Sequence, residues 1–154
     1  MNVKDTVRQQ YIRMIDEASH QLRDLTPASE GWITTMRKAL GMTGTQMGKR
    51  VGITRAAISQ SERNERDGVI TVQQMQKLAE AMGGRYVHAI ILPKPIDEIL
   101  LEQARKKATA TIKRSSAHMA LESQSLSKAQ NRIEIERLAQ QLLLSQPSDF
   151  WDDK

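Results

Sequence analysis

The side chains with the clearest chemical use lie on one side of a predicted helix between Thr54 and Arg63. Arg55 can donate to the O6 and N7 acceptors of guanine, and Gln60 can bond to N6 and N7 of adenine. Ala56 is small enough to contact the methyl group of thymine. This combination of residue types predicts a helix that recognises base edges in the major groove of double-stranded DNA.

Residues around this helix supply charge and hydroxyl groups suited to the phosphate backbone. Between residues 44 and 66 there are five basic and two acidic side chains. Lys49 and Arg50 precede the recognition segment, and together with backbone amides they are predicted to hold phosphates. The complete set of predicted DNA-binding residues is Thr45, Lys49, Arg50, Thr54, Arg55, Ala56, Ser59, Gln60 and Arg63.

Two short helices joined by a tight turn must position these groups. Gly52 stands where the chain has to reverse, since glycine tolerates positive φ. Thr54 is a good N-cap for the helix that follows. Apolar side chains on the inner face are predicted to be Met47, Val51, Ile53 and Ile58. A purely structural helical hairpin with a solvated polar face remains the alternative interpretation.

Apolar periodicity extends the helical pattern on both sides of this pair. A helix from Trp32 to Leu40 is predicted to place Ile33, Met36 and Leu40 in the core. The next two helices are predicted at residues 44–51 and 55–63. A fourth begins at Thr71, where Thr71–Gln74 fits a capping box, and ends before Gly83-Gly84.

The segment Thr43–Glu62 resembles the helix-turn-helix of the Cro and phage-repressor family, also called the Xre family. The resemblance covers about residues 32–82, and family members have five helices there. It implies a structural ion pair between Arg37 and Glu62. Gly44 departs from the family, which often has a phosphate-clamping glutamine at that position, so here only backbone N–H groups remain for that contact.

The flanks are predicted to be helical, apart from one strand. A helix at residues 3–24 carries an apolar stripe that must be buried in this fold or against a partner chain. The segment Arg85–Leu92 is predicted to be a short β-strand, because it is rich in branched and aromatic residues. It would need a second strand from this chain or from a symmetry mate. Later helices are predicted at about residues 96–119 and 128–144.

The predicted fold is therefore mainly α: a lambda-repressor-like helix-turn-helix core with an N-terminal helix, one short β-strand and C-terminal helices. Its parts are an N-terminal helix and linker (1–30), the DNA-binding domain (31–84), the strand (85–93) and a C-terminal helical extension (94–154). Phe150 and Trp151 in the tail are expected to pack on the protein's own core. A basic face on the long helix is expected to be solvated, with a second DNA contact as the alternative. Its residues are Arg105, Lys106, Lys107, Lys113 and Arg114.

Composition excludes several classes of protein. The 154-residue chain has no cysteine, a net charge of +5 and only 3% aromatic residues. Disulfides and thiol chemistry are excluded, and base stacking on an aromatic platform is not expected. The histidines share no ligand spacing, and no catalytic motif is present, so we expect no metal, no cofactor and no enzyme activity. No signal peptide or membrane span is predicted, and we expect a cytoplasmic protein.

Five further motifs, taken together, make the whole chain similar to the mobile mystery protein A family. They are Gly31-Trp32-Ile33, Gly68–Thr71, Val87–Pro93, His118–Glu122 and Trp151-Asp152. The resemblance implies a DNA-binding protein encoded beside a Fic-domain protein, as in a toxin–antitoxin module. We therefore predict an autoregulating transcriptional repressor that binds an inverted-repeat operator as a homodimer. The alternative is an antitoxin that binds and inhibits the Fic-domain AMP-transferase directly. Residues 26–31 match the short inhibitory pattern of Fic antitoxins, but Pro27 makes the required helix improbable.

Overall fold

A computed structural model describes residues 2–121 and 127–153. Glu122, the last residue of the His118–Glu122 motif, therefore lies outside the described residues. The helices are α1 (Val3–Leu22), α2 (Trp32–Ala39), α3 (Gly44–Val51), α4 (Arg55–Arg66), α5 (Val72–Ala81), α6 (Ile96–Leu121) and α7 (Lys128–Ser145). In this described part of the chain, no helix combines the length and hydropathy needed to span a bilayer.

Local capping explains where most of these helices begin. Asn2, Thr43 and Ser127 each form a reciprocal capping box with the residue three positions later, which satisfies free N–H groups at the helix start. Thr54 and Thr71 accept a hydrogen bond from the backbone N–H of Ala57 and Gln74. The capping box predicted at Thr71 is half present, because only the backbone N–H of Gln74, and not its side chain, takes part.

The chain divides into two units, one of which is Asp24–Ala89. This unit holds α2 to α5, four helices rather than the five implied by the family resemblance. Its core consists of Ile33, Met47, Ile58, Met75, Leu78 and Met82. The prediction that Met36 and Leu40 face this core is wrong, since both are substantially exposed. The buried residues of α2 are Ile33 and Thr34; the helix ends at Ala39, and Leu40 is its C-cap residue.

The other unit consists of Met1–Arg23 together with Ile90–Lys154. Here α6 and α7 form a helical hairpin around Ala104, Ala108, Ala139 and Phe150. The predicted packing of the tail on its own core is confirmed for Phe150, while Trp151 is exposed and meets the Phe150 ring edge-on. α1 packs against α6, and Asp16 Oδ1 accepts from the backbone N–H of Ile96 at 3.0 Å.

The predicted strand at residues 85–92 is absent, and no strand occurs elsewhere in the described residues. Tyr86, early in the segment, packs against the core of the helix-turn-helix unit and stacks on His88. Near its end, the backbone N–H of Leu92 donates to Ser19 Oγ at 3.0 Å. These contacts hold the segment without a ladder of backbone hydrogen bonds, which a strand requires.

Candidate nucleic-acid interface

The turn between α3 and α4 depends on two glycines. Gly52 ends α3 with φ of 83°, in the left-handed region, which confirms its predicted role. Its N–H and that of Ile53 both donate to the carbonyl of Gly48, at 2.8 and 2.9 Å. A Cβ on Gly48 would lie 2.6 Å from the carbonyl oxygen of Ile53, so the close approach of the two helices requires glycine there. Sequence reasoning missed Gly48, because the need arises only when the helices meet.

α4 has one buried side and one exposed side. Ile58, Ser61 and Glu62 point into the unit. The predicted DNA-binding residues lie on the same helix: Arg55, Ala56, Gln60 and Arg63 are exposed and Ser59 is half-buried. The structure thus brings the predicted base-contacting side chains onto one exposed surface that is free of long apolar side chains.

Hydrogen bonds along α4 already engage part of this surface. The Gln60 amide nitrogen donates to Asn64 Oδ1 at 2.8 Å, and its oxygen accepts from Arg63 at 2.8 Å. Gln60 would have to exchange these exposed bonds for bonds to adenine. Arg55 starts beside the first turn of α3, where its Cγ would be 3.5 Å from a Cβ on Gly44. Gly44, which has no side chain to clamp a phosphate, therefore leaves space beside the aliphatic part of the Arg55 side chain.

The orientation of α4 is fixed by Arg37 of α2. Arg37 Nε donates to Glu62 Oε1 at 2.6 Å and a second guanidinium nitrogen donates to Oε2 at 3.4 Å. The remaining terminal nitrogen donates to the carbonyl of Met42 at 3.0 Å. Bidentate arginine–carboxylate bonds restrict both distance and angle. The ion pair implied by the family resemblance is thus present between α2 and α4.

A second carboxylate links the same two helices, and sequence reasoning missed it. Glu65 accepts from the backbone N–H groups of Trp32 and Ile33 at 2.6 and 2.9 Å, so it caps the start of α2. Gly31 has φ of 87°, and a Cβ there would lie 2.8 Å from the same carboxylate. The only signal in the sequence was the Gly31-Trp32 pair ahead of a helix that has no capping side chain of its own.

The predicted phosphate-contacting residues have different environments. Thr45 and Lys49 are exposed on α3. Arg50 is also exposed, but its Nε donates to the carbonyl of Ala81 at 2.8 Å. Because that carbonyl belongs to the last residue of α5, Arg50 stabilises the end of that helix. Its predicted phosphate contact would have to use the other guanidinium nitrogens.

An independent comparison agrees with this geometry. Residues 33–86 match a protein-family model described as helix-turn-helix, and the chain therefore contains a helix-turn-helix domain there. The match leaves α1, α6 and α7 outside. No curated protein and no solved structure matches the chain.

Proposed function

We propose that the helix-turn-helix domain binds double-stranded DNA through α4 and that the chain regulates transcription. The exposed surface of α4, which is free of long apolar side chains, is the observation that carries this proposal. Arg55 would contact guanine, Gln60 adenine and Ala56 the thymine methyl group. The remaining predicted contacts would position the domain on the backbone. They are Thr45, Lys49, Arg50, Thr54, Ser59 and Arg63.

The two links between α2 and α4 support this proposal. A recognition helix must present its side chains at a defined angle, because base-edge hydrogen bonds tolerate little displacement. Arg37–Glu62 and the Glu65 cap both join α4 to α2. Two such links suit a recognition helix whose exposed surface must be rigid before DNA binds.

A single recognition helix contacts only a few base pairs, which are too few to specify one site in a genome. Proteins of this type bind as two-fold dimers to half-sites about 34 Å apart. We therefore extend the proposal to a homodimeric repressor that binds an inverted repeat in its own promoter. Analytical ultracentrifugation followed by footprinting of the upstream DNA tests this extension, and a monomer on one asymmetric site contradicts it.

The finer proposal is an antitoxin-like partner of a Fic-domain protein. Its support is the resemblance in sequence, so co-purification with the product of the neighbouring gene is the direct test. The alternative is direct inhibition of the Fic-domain protein through the N-terminal helix or the C-terminal helices. The inhibitory pattern matched by residues 26–31 gains no support from their conformation. They form no helix, and Glu30 pairs with Lys38 at 3.0 Å.

Base recognition is tested by comparing three single variants on a duplex selected from a random pool. Arg55→Ala should weaken binding to the selected site by about 1–3 kcal/mol and relax the base preference at one position of that site. Lys49→Ala should weaken binding to the selected duplex and to random duplexes by similar factors, and it should flatten the salt dependence of binding. Lys77→Ala removes an equal charge from an exposed position on α5 and should change neither the affinity for the selected site nor the salt dependence. Unchanged specific binding by Arg55→Ala would show that Arg55 does not contact a base.

A further inference from the structure

The end of the hairpin where α6 meets the start of α7 concentrates positive charge. Lys113 and Arg114 lie on α6, and Lys128 and Arg132 lie on α7, all exposed. Within the described residues, none of these four forms an ion pair. The sequence pattern alone did not separate Lys113 and Arg114 from the other cations of the long helix.

The cations nearer the start of α6 are neutralised. Arg105 pairs with Glu136 at 2.7 Å and Lys106 with Asp153 at 2.8 Å. Lys107 bonds to the tail carbonyl of Asp149 and lies 3.6 Å from its carboxylate. The basic face expected from sequence is therefore two surfaces. One is used by ion pairs and by the docked tail, and the other has no acidic partner among the described residues.

Three of the unpaired cations line one groove between the helices. Lys113, Lys128 and Arg132 surround a space of about 460 Å³, and no described residue that lines it is acidic. We call this the basic groove. Asn131 in its wall donates to Ser116 Oγ at 3.4 Å, while its buried Oδ1 has no partner.

The positions of Lys128 and Arg132 oppose local stability. Lys128 is the first residue of α7, where the helix dipole disfavours a cation, and the first turn contains no acidic residue. Arg132 follows four residues later, so the two like charges are neighbours on the helix surface. An anion in the basic groove would reverse both unfavourable terms.

We propose that the basic groove binds phosphates of the DNA backbone as a second contact, in addition to the helix-turn-helix. This inference rests on the proposed DNA binding of the chain. Lysine and arginine without an accompanying base-reading surface suit contacts that are independent of sequence. DNA is favoured over other polyanions because a duplex bound by the same chain would be held at high effective concentration.

The test measures the salt dependence of binding to a random-sequence duplex by fluorescence anisotropy, using the full chain. The triple variant Lys113→Ala, Lys128→Ala, Arg132→Ala removes the groove cations, and alanine is compatible with exposed helical positions. The matched control is Arg105→Ala, Lys106→Ala, Arg137→Ala, which removes the same charge from paired residues on the same two helices. Circular dichroism checks that both remain helical, and Arg132→Gln provides a milder variant.

The groove variant should reduce the slope of log affinity against log salt by about 2.7, and Arg132→Gln should reduce it by about 0.9. Between about 50 and 200 mM salt, wild type should then lose roughly 40-fold more affinity than the triple variant. The control should keep a slope close to that of wild type.

Equal slopes in wild type and both triple variants would overturn the groove contact, while Arg55-dependent binding would leave the proposed function intact. If wild type bound no duplex, the proposed function would fail together with the inference. Vesicles containing phosphatidylserine provide the last arm. If the groove variant alone failed to bind these vesicles, while its DNA salt slope equalled that of wild type, the groove would be a lipid site instead.

Discussion

The helix-turn-helix unit and the unit of α1, α6 and α7 each join two helices by an arginine–glutamate pair of nearly the same geometry. The donor–acceptor distances are 2.6 and 3.4 Å for Arg37–Glu62 and 2.7 and 3.3 Å for Arg105–Glu136. Their surroundings differ. The first pair has side chains 16% and 10% exposed, and the second has side chains 48% and 50% exposed.

The difference shows two ways of holding helices together. In the hairpin of α6 and α7, Ala104, Ala108 and Ala139 are fully buried, so small side chains let the helices approach and the ion pair lies outside that contact. In the helix-turn-helix unit, the Arg37 and Glu62 side chains bond α2 to α4, and removing either one would leave the other charge unpaired at a mostly buried site. Packing defines the arrangement of α6 and α7, whereas directional bonds orient α2 and α4.

The largest expected effect comes from breaking the two pairs in parallel. Arg37→Ala or Glu62→Ala should destabilise the protein by about 3–5 kcal/mol, because each strands a mostly buried charge. Arg105→Ala or Glu136→Ala should cost less than about 1 kcal/mol, because water replaces the lost partner. Urea unfolding of both double-mutant cycles measures the two coupling energies. Equal coupling energies would show that burial does not separate the pairs.

Phe150→Ala tests the packing side of the comparison. Phe150 is buried against the alanines of the hairpin, so its loss should cost about 3 kcal/mol through lost burial and a cavity. Trp151→Ala is the adjacent control. Trp151 is exposed and contributes mainly an edge-on contact with Phe150, so its loss should cost about 1 kcal/mol or less. Chemical denaturation of both variants gives the values, and similar losses would mean that the whole tail, rather than Phe150, anchors the hairpin.

Gly48→Ala tests how closely α3 and α4 must approach. The new Cβ would meet backbone rather than a movable side chain, and the overpacking should cost about 1–3 kcal/mol. Gly44→Ala adds the same atom in ordinary contact with the Arg55 stem and should be neutral or slightly stabilising. Thermal unfolding distinguishes the two. A neutral Gly48→Ala would mean that the turn can relax at little cost.

The helix-turn-helix unit was the more predictable region because much of its structure is specified locally. Thr54 as a cap and Gly52 at positive φ both follow from neighbouring residues, and the structure contains both. Gly48 and Glu65 were missed because their roles exist only after α3 meets α4 and α4 meets α2. Residues predicted to contact DNA are positioned by the fold, and their contacts remain predictions.

The flanks were less predictable because their burial depends on distant partners. The segment 85–92 has strand-forming residues, but β propensity depends strongly on context and no partner strand lies in the described residues. On α1, the apolar stripe was expected to be buried in this fold or against a partner chain. Within this chain Tyr11 and Met14 are exposed, whereas Ser19 is buried. The hydrogen bonds of Asp16 and Ser19 to backbone N–H groups near the start of α6 orient α1, and apolar periodicity does not reveal such contacts.

The smallest expected effect concerns the tail, where an exposed pair can be compared with an unpaired cation. The hydrogen bond from Lys106 lowers the pKa of the Asp153 carboxyl, and the charge of Lys106 lowers that pKa further. Desolvation raises it, and the charge of Lys107 also lowers it. Because the folded pKa is depressed, the stability from this pair is present above the unfolded pKa of Asp153 and is lost as pH falls through the folded pKa. Lys106→Met should return the pKa of Asp153 towards its ordinary value, and NMR titration of the carboxyl carbon measures it. Lys113→Met removes an equal charge that forms no ion pair within the described residues, so it should leave that pKa unchanged. The same shift in both variants would assign it to net charge rather than to the bond.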